Sequence, residues 1–342
     1  MLVLVDCGLV LVLKLTLSKE NLRQNALSWL LITMSNMKQL KGRDLLGTAD
    51  LNTEEIIGLL ELASQLKSGE KVIQSNKVLG LLFYKASTRT RVSFSVAMYK
   101  LGGQVIDLNP SVTQVGRGEP IEDTARVLDR YLDILAIRTY AQADLETFAN
   151  YARIPIINAL TDLEHPCQIL ADLQTVQECF GSLEGNTLTY LGDGNNMAHS
   201  LLLGGALTGL NVRIAAPKGY EPDPEIVSQA KQIAGDKSEI VVTQDAMAAV
   251  EGARVVYTDV WASMGQEDSA DSRIPVFQPY QVNQKLLDKA DPDAIILHCL
   301  PAHRGEEITA QAIESDRSRV WDQAENRLHA QQALIAALLG LV

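Results

Sequence analysis

Between residues 51 and 66 the apolar side chains Leu51, Ile56, Ile57, Leu59, Leu60, Leu62, Ala63 and Leu66 recur at helical spacing, with Asn52 or Thr53 at the start and Gly69 past the end. That pattern predicts a helix facing a core. A short apolar run, Val78 to Phe83, predicts a buried strand, and Val92, Val96, Met98 and Leu101 then return to helical spacing. Alternation continues with a strand at Gln104 to Leu108, a helix across Pro120 to Tyr131 and a strand at Ile134 to Arg138. After Pro166 a second series begins: a long helix to about Phe180, strand Thr187 to Gly192, helix Met197 to Thr208 and strand Asn211 to Ala215. A helix from Pro224 to Ile233 and strands Ile240 to Thr243, Val255 to Thr258 and Ala294 to Leu297 complete it. Strands alternating with helices predict parallel sheets covered on both faces. The last helix, Arg327 to Leu339, is apolar over a broad face, as expected of a helix packed against a core.

The 342 residues suit two domains of ordinary size. The fold class expected is α/β, two doubly wound parallel-sheet domains meeting near Asp162 to Pro166. The active site belongs in the cleft between them, because ligands sit beyond the carboxyl ends of parallel strands. The first 36 residues stand apart. Leu2 to Leu17 is apolar but interrupted by Asp6 and Lys14, and too short to span a membrane. A secretory signal would want basic residues before that run and a small-residue cleavage site after it. The preferred reading of the stretch before Met34 or Met37 is a poorly packed extension that need not be translated in the cell, with a targeting peptide as the alternative.

The net charge of -12, from 42 acids and 30 bases, argues against nucleic acid and anionic membrane surfaces, which need a basic face. Small anionic substrates remain compatible, since a pocket can be positive within an acidic molecule. Cys7, Cys167, Cys179 and Cys299 form no CxxC pair, so a reducing cytoplasm is the expected setting and a disulfide framework is not. His165 with Cys167, or His298 with Cys299, lacks the second half of a zinc signature, and no metal is expected. Gly192-Asp193-Gly194-Asn195-Asn196 follows a strand and precedes a helix, yet it is not a full GxGxxG and no acidic residue ends the next strand. It reads as a polar ligand loop rather than a nicotinamide site, and no cofactor is expected.

Residues 83 to 94, Phe83-Tyr84-Lys85-Ala86-Ser87-Thr88-Arg89-Thr90-Arg91-Val92-Ser93-Phe94, place hydroxyls and guanidiniums where the strand ends and the helix starts. Backbone N–H groups and the positive helix end would face an anion there, with Arg89 able to fork onto two oxygens. The plainer alternative is an ordinary Ser/Thr cap with two solvated arginines.

Ser-Thr-Arg-Thr-Arg at 87 to 91, followed by a helix and Leu101-Gly102-Gly103, resembles the carbamoyl-phosphate signature of the aspartate and ornithine carbamoyltransferases. His165-Pro166-Cys167-Gln168, Asp259-Val260-Trp261-Ala262-Ser263-Met264-Gly265 and His298-Cys299-Leu300-Pro301 support it, the last two pointing to the ornithine branch. The resemblance runs from about Leu40 to the C-terminus. Ala86 departs from it, since many relatives carry proline there, but alanine leaves the cradle's donors intact.

The resemblance implies carbamoyl transfer from carbamoyl phosphate to the side-chain amine of L-ornithine, giving citrulline and phosphate. It implies a carbamoyl-phosphate-binding domain at 37–165, an ornithine-binding domain at 166–326, and a C-terminal helix at 327–342 returning to the first domain. Ser87, Thr88, Arg89 and Thr90 would cradle phosphate, Arg138 would neutralise it and polarise the carbonyl, and His165 and Gln168 would hold the carbamoyl group. Cys299, Leu300 and Arg327 would also border carbamoyl phosphate, and Gln114 would reach the neighbouring subunit's site in a homotrimer. Asp259 and Ser263 would bind the ornithine ammonium, with Met264 and Asn196 on its carboxylate. Asp259 with Cys299 would relay the amine's proton, and the polar stretch Trp261 to Ser269 would act as a lid once carbamoyl phosphate and then ornithine have bound.

Each residue also has a plain structural reading. Arg138 could be a surface ion pair, His165 a helix cap, Gln114 a loop residue, Cys299 a small core side chain and Arg327 a solvated arginine at a helix start. Other amines (putrescine, N-acetylornithine, aspartate) define the nearest alternative enzymes, and a non-catalytic relative defines a different class. Arg89, Arg138, His165 and Cys299, whose loss would mark such a relative, are all present. Biosynthetic and degradative enzymes share these motifs.

Overall fold

The structure, a computed structural model, describes residues 37–262 and 270–342. The extension before Met37 and the stretch with Ser263 and Met264 lie outside the described residues. Helix α1 (Thr53–Ser68) starts where expected: the Asn52 side chain accepts the Glu55 N–H at 2.9 Å, and the Glu55 carboxylate accepts the Asn52 N–H at 3.0 Å. This reciprocal pair satisfies two first-turn donors, and Gly69 at φ 79 ends the helix in the left-handed conformation glycine adopts without penalty.

Strands β1 (Val78–Phe83), β2 (Gln104–Leu108), β3 (Ile134–Arg138) and β4 (Ile156–Leu160) form one parallel sheet in the order β2-β1-β3-β4. Helices α2 (Arg89–Lys100), α3 (Ile121–Leu128) and α4 (Gln142–Tyr151) connect them. Helix α5 (Pro166–Phe180) leads into a second parallel sheet, β7-β6-β5-β8-β9, made of β5 (Thr187–Leu191), β6 (Asn211–Ala215), β7 (Ile240–Thr243), β8 (Val255–Thr258) and β9 (Ile295–His298). Its connections include α6 (Asn196–Thr208), α7 (Pro224–Ala234), α8 (Ala246–Val250), α9 (Ala270–Phe277) and α10 (Gln284–Leu287), and α11 (Ala310–Ile313) follows β9. Both sheets reverse winding direction in mid-sheet, between β1 and β3 in the first and between β5 and β8 in the second. Crevices open at such points.

The pattern missed β4 because Asn158 interrupts its apolar run. Asn158 is fully buried; its Nδ2 donates to the Leu46 carbonyl at 2.8 Å and to Thr161 Oγ1 at 3.4 Å, so its donors are paired inside the sheet edge, while Oδ1 has no partner among the described residues. The closing helix α12 (Val320–Leu338) begins well before the expected Arg327. Its first turns carry the buried polar residues Gln323 and Asn326, which break the apolar period yet face inward. Arg327 therefore lies in the helix interior and is buried, not solvated at a helix start. Helix α12 packs on α1, α2 and α5, joining the two halves.

The chain crosses between sheets at residues 161–165, and the first turns of α6 pin that crossing. Asn196 Nδ2 donates to the Thr161 carbonyl at 2.7 Å, and the His165 N–H donates to Ser200 Oγ at 2.9 Å. His199 Nε2 accepts the Asp223 N–H at 3.0 Å, so the ring proton resides on Nδ1 and is donated to the Leu163 carbonyl at 2.8 Å. Buried Glu164 accepts from Ser200 Oγ at 3.0 Å, the Thr48 N–H at 3.0 Å and Thr48 Oγ1 at 2.5 Å.

Gly194 shows why the loop after β5 carries glycine. A Cβ there would stand 2.2 Å from the Pro222 nitrogen, and the Gly194 N–H donates to the Tyr220 carbonyl at 2.8 Å. Two backbones touch at this point, and Gly194→Ala is expected to destabilise the protein by about 1–3 kcal/mol. A lowered midpoint in urea unfolding checks this, and an unchanged midpoint would mean the loop pair separates freely.

Candidate active site

The two crevices put their strand ends around one cleft. In the first sheet Phe83 pairs with Arg138, so the segment after β1 begins beside the end of β3. Helix α2 starts at Arg89 with Thr88 as its N-cap residue, and no side chain caps it. The plainer reading of Ser87 to Thr90 as an ordinary side-chain cap does not hold: the first-turn N–H groups are left for another acceptor, as an anion-binding turn requires. Lys85 braces the segment by an ion pair with Asp162 at 2.5 Å and sits 4.1 Å from the Tyr140 ring centroid.

Three guanidiniums converge here. Arg138 and Arg327 are buried, and Arg89, on the exposed side, faces Arg138. Burial, then Arg327 and Arg89, pull the Arg138 guanidinium down to about 10, with Cys299 opposing. Burial also lowers Arg327. Arg327 Nη1 donates to Gln168 Oε1 at 2.5 Å and Nη2 to Thr90 Oγ1 at 3.2 Å, which ties α12 to α5 and α2. His165 precedes α5, whose Pro166 occupies the first turn. Burial, then Arg327 and Arg138, hold its imidazole well below the ordinary value, so it is neutral at pH 7. His165 Nδ1 and Arg327 Nε are buried with no hydrogen-bond partner among the described residues. The corner is positively charged and short of acceptors, the reverse of the molecule as a whole.

The second sheet contributes carboxylate, thiol and amide. Thr258 pairs with His298, so Asp259 and Cys299 leave adjacent strands side by side. Cys299 Sγ donates to Asp259 Oδ1 at 2.9 Å. Burial first, then the Asp259 charge, push the Cys299 thiol well above its usual range, so the pair is a thiol beside a carboxylate. Asn195 caps α6 through the Met197 N–H at 2.9 Å, and its Nδ2 donates to Asp259 Oδ2 at 3.2 Å. Leu300 adopts φ 58, outside the usual range for a branched residue, and its N–H donates to His298 Nδ1 at 2.8 Å. With Nδ1 accepting, the His298 proton is on Nε2 and faces Glu307 Oε1 at 3.1 Å. A carboxylate oxygen of Asp259, a His298 nitrogen and the Cys299 sulfur lie within 4.8 Å of one another, but both His298 nitrogens are already engaged.

Residues 43–178 match the family model described as aspartate/ornithine carbamoyltransferase, carbamoyl-P binding domain, and residues 184–338 match its Asp/Orn binding domain. The chain belongs to the aspartate/ornithine carbamoyltransferase family. An ornithine carbamoyltransferase of Synechocystis sp. is 70% identical over 306 residues, covering 90% of this chain and 99% of that protein. Among solved structures, the ornithine carbamoyltransferase from Gloeobacter violaceus matches with TM-score 0.81 at 55% identity, covering 87% of this chain and 99% of that one. The ornithine carbamoyltransferase from Pyrococcus furiosus matches with TM-score 0.85 at 49% identity, covering 89% and 99%.

Within this carbamoyltransferase cleft the structure brings together Thr90, Arg138, His165, Gln168 and Arg327 on one side and Asp259 with Cys299 on the other. Asn196 stands at the start of α6 with its amide on the linker. Gln114 is exposed in a short turn at Gln114–Arg117. Trp261, expected to open a polar lid, is buried and stacked on Phe277 with centroids 5.9 Å apart. The rest of that lid expectation, to Ser269, lies mostly outside the described residues. Among the described residues no helix is long and apolar enough to cross a membrane. Sequence reasoning passed over Asp172, Asn195, Tyr257, Arg273 and Gln323. Arg273 pairs with Asp193 at 2.8 Å and also donates to the Trp261 carbonyl. Only Asn195, next to a helix start, carried a local signal.

A thiol held neutral should alkylate slowly. At pH 8 Cys299 is expected to react with iodoacetamide at least about tenfold slower than free cysteine, read by mass spectrometry of its peptide, and Asp259→Asn should speed it. A rate matching free cysteine would show that burial and Asp259 do not hold the thiol protonated.

Proposed function

We propose that this chain transfers the carbamoyl group of carbamoyl phosphate to the side-chain amine of L-ornithine, giving L-citrulline and phosphate. The observation that carries the reading is Arg327 bonded at once to Thr90 of the helix start and Gln168 of α5, inside a group of arginines beside a neutral histidine. Family membership and the names of the relatives support it. In this reading residues 37–165 bind carbamoyl phosphate, residues 166–326 bind ornithine, and residues 327–342 return to the first domain.

Phosphate rests on the first turn of α2 with Ser87, Thr88, Arg89 and Thr90, and Arg138 neutralises it. The carbamoyl oxygen meets Arg138 and His165, while Gln168 and Leu300 hold the carbamoyl NH2. A neutral His165 has one proton to donate and adds no charge to a corner already crowded with cations. Ornithine lies across the second half, its ammonium on Asp259 and Ser263 and its carboxylate on Asn196 and Met264. Its side-chain amine, with a pKa near ~10.4, must lose a proton to attack. The Asp259 carboxylate accepts that proton, with the Cys299 thiol holding the carboxylate in place. The nitrogen bonds to the carbonyl carbon and negative charge gathers on the carbonyl oxygen. The carbonyl then re-forms as the bond to the phosphate oxygen breaks, and the nitrogen's second proton passes to the departing phosphate, leaving a neutral citrulline side chain and hydrogen phosphate. Arg138→Met is expected to lower kcat by on the order of a hundredfold to a thousandfold, the usual loss for one donor to such an oxyanion.

Gln114 completes the neighbouring subunit's site in a homotrimer of a cytoplasmic enzyme. Exposed Val92, Tyr99, Ile106 and Val112 on α2, β2 and the following turn suit a subunit contact on that side. Gln114→Ala and Arg89→Ala proteins should each be nearly inactive and should regain activity when unfolded and reassembled together. No recovery in assemblies of trimeric mass would place both residues in one subunit's site.

The test of the reaction is product formation from carbamoyl phosphate with L-ornithine, putrescine, N-acetylornithine and L-aspartate side by side. Ornithine alone should give rapid product. Preference for another amine would overturn the assignment of Asp259, Ser263 and Asn196, and no product with any amine would overturn the reaction itself.

A further inference from the structure

Asp172 follows Gln168 by one helical turn on α5, is buried, and has no place in the chemistry described so far. Its carboxylate receives donors alone: Gln168 Nε2 at 2.8 Å and Gln323 Nε2 at 2.7 Å on Oδ1, and the Tyr257 hydroxyl at 3.2 Å on Oδ2. An ionised carboxylate only accepts, whereas an amide side chain has one accepting and one donating end. Each glutamine must therefore turn its NH2 toward Asp172 and its oxygen away. The Gln168 oxygen then meets Arg327 Nη1, and the Gln323 oxygen takes the His298 N–H at 2.9 Å. One buried carboxylate thus sets two amides, one in the carbamoyl corner and one against the strand that leads into Cys299.

The geometry points to Asp172 as a positioning residue that makes the site selective for a carbamoyl over an acetyl group, by keeping the Gln168 oxygen, an acceptor, turned to the carbamoyl corner. This rests on the proposed reading in which Gln168 holds the carbamoyl NH2. Carbamoyl and acetyl phosphate have the same shape and differ in NH2 against CH3. The Gln168 oxygen keeps the bond from Arg327 Nη1 in either case; its second lone pair is met by the NH2 of the first ligand and left open by the second, and an unmade bond to a buried acceptor is costly. Asp172 and Arg327 fix the amide from its two ends; with Asp172 gone only the Arg327 bond opposes a turn that brings the Gln168 NH2 inward and loses that distinction. Burial raises the Asp172 carboxyl to about 7, with Gln168, Gln323, Arg327 and Tyr257 opposing, so the acceptor-only form is well populated at and above neutral pH. Acceptance rather than charge is what the device needs. In an Asp172→Asn protein the new amide oxygen can stay where both glutamines meet Oδ1, while the new NH2 donates to the Tyr257 oxygen.

The test compares the inhibition constant of acetyl phosphate with the dissociation constant of carbamoyl phosphate in the parent, Asp172→Leu and Asp172→Asn proteins. The parent should prefer carbamoyl phosphate, Asp172→Asn should keep that preference, and Asp172→Leu should lose about tenfold of it or more. A loss confined to folding or packing would weaken both ligands alike, so an unchanged ratio in Asp172→Leu overturns the inference, as does loss of the preference in Asp172→Asn. Should Asp172→Leu fail to fold, Asp172→Ser carries the same expectation and the same overturning result. A parent that binds the two phosphates equally would instead refute the placement of the carbamoyl NH2 on Gln168, whatever the variants do.

Discussion

Like charges held together in a buried corner set the terms for the rest of this structure. Arg138 and Arg327 are buried, each is made less basic by burial, and Arg138 also feels Arg89. Cations in such a place are costly unless they are paired or hydrogen-bonded. The fold meets that cost in two ways. It fixes Arg138 at the end of a central strand between β1 and β4, and it gives Arg327 neutral acceptors, Gln168 and Thr90, instead of a carboxylate. Neutral partners hold the arginine without cancelling its charge. On the proposed reading an arriving phosphate would relieve repulsion that is present before it binds, so that the same terms that lower the stability of the empty cleft would favour its occupation.

Directional hydrogen bonds do the rest of the positioning. His199 and His298 are each held in one neutral tautomer, because a backbone N–H donates to one ring nitrogen and leaves the proton on the other. The first fixes the crossing between the two sheets, and the second fixes the backbone after Cys299. Asp172 does the same for two amides. None of these groups needs to touch a substrate. Each removes a rotation or flip that would otherwise blur the geometry of a residue that does.

The α/β class, the alternation of strands and helices and the strand-to-helix junction after β1 were legible in the sequence, because long apolar runs and a Ser-Thr-Arg cluster at a helix start leave local marks. Strand β4 was not legible, since Asn158 breaks its apolar run and its amide finds acceptors only in the fold, at the distant Leu46 carbonyl and at Thr161. The true start of α12 was hidden for the same reason: Gln323 and Asn326 look like surface residues until Asp172, Thr175 and His298 are brought to them by the fold. Arg138 and His165 were found through motif and strand-end position, while the resemblance to carbamoyltransferases supplied roles that spacing alone left open. Asp172 and Tyr257 had no signal of their own in one sequence. Their partners lie on separate elements, and a buried acid on an apolar helix face reads as an interruption until its donors are seen.

The most direct measurement of the charge account is urea unfolding at rising inorganic phosphate, with ionic strength held constant by chloride, for the parent and for Arg138→Met. Phosphate bound to the folded state alone should raise the parent's stability in proportion to the logarithm of its concentration above the dissociation constant. The rise should nearly vanish in Arg138→Met. Equal stabilisation of both proteins by phosphate, or none beyond that of chloride, would contradict an anion site built on the buried arginines.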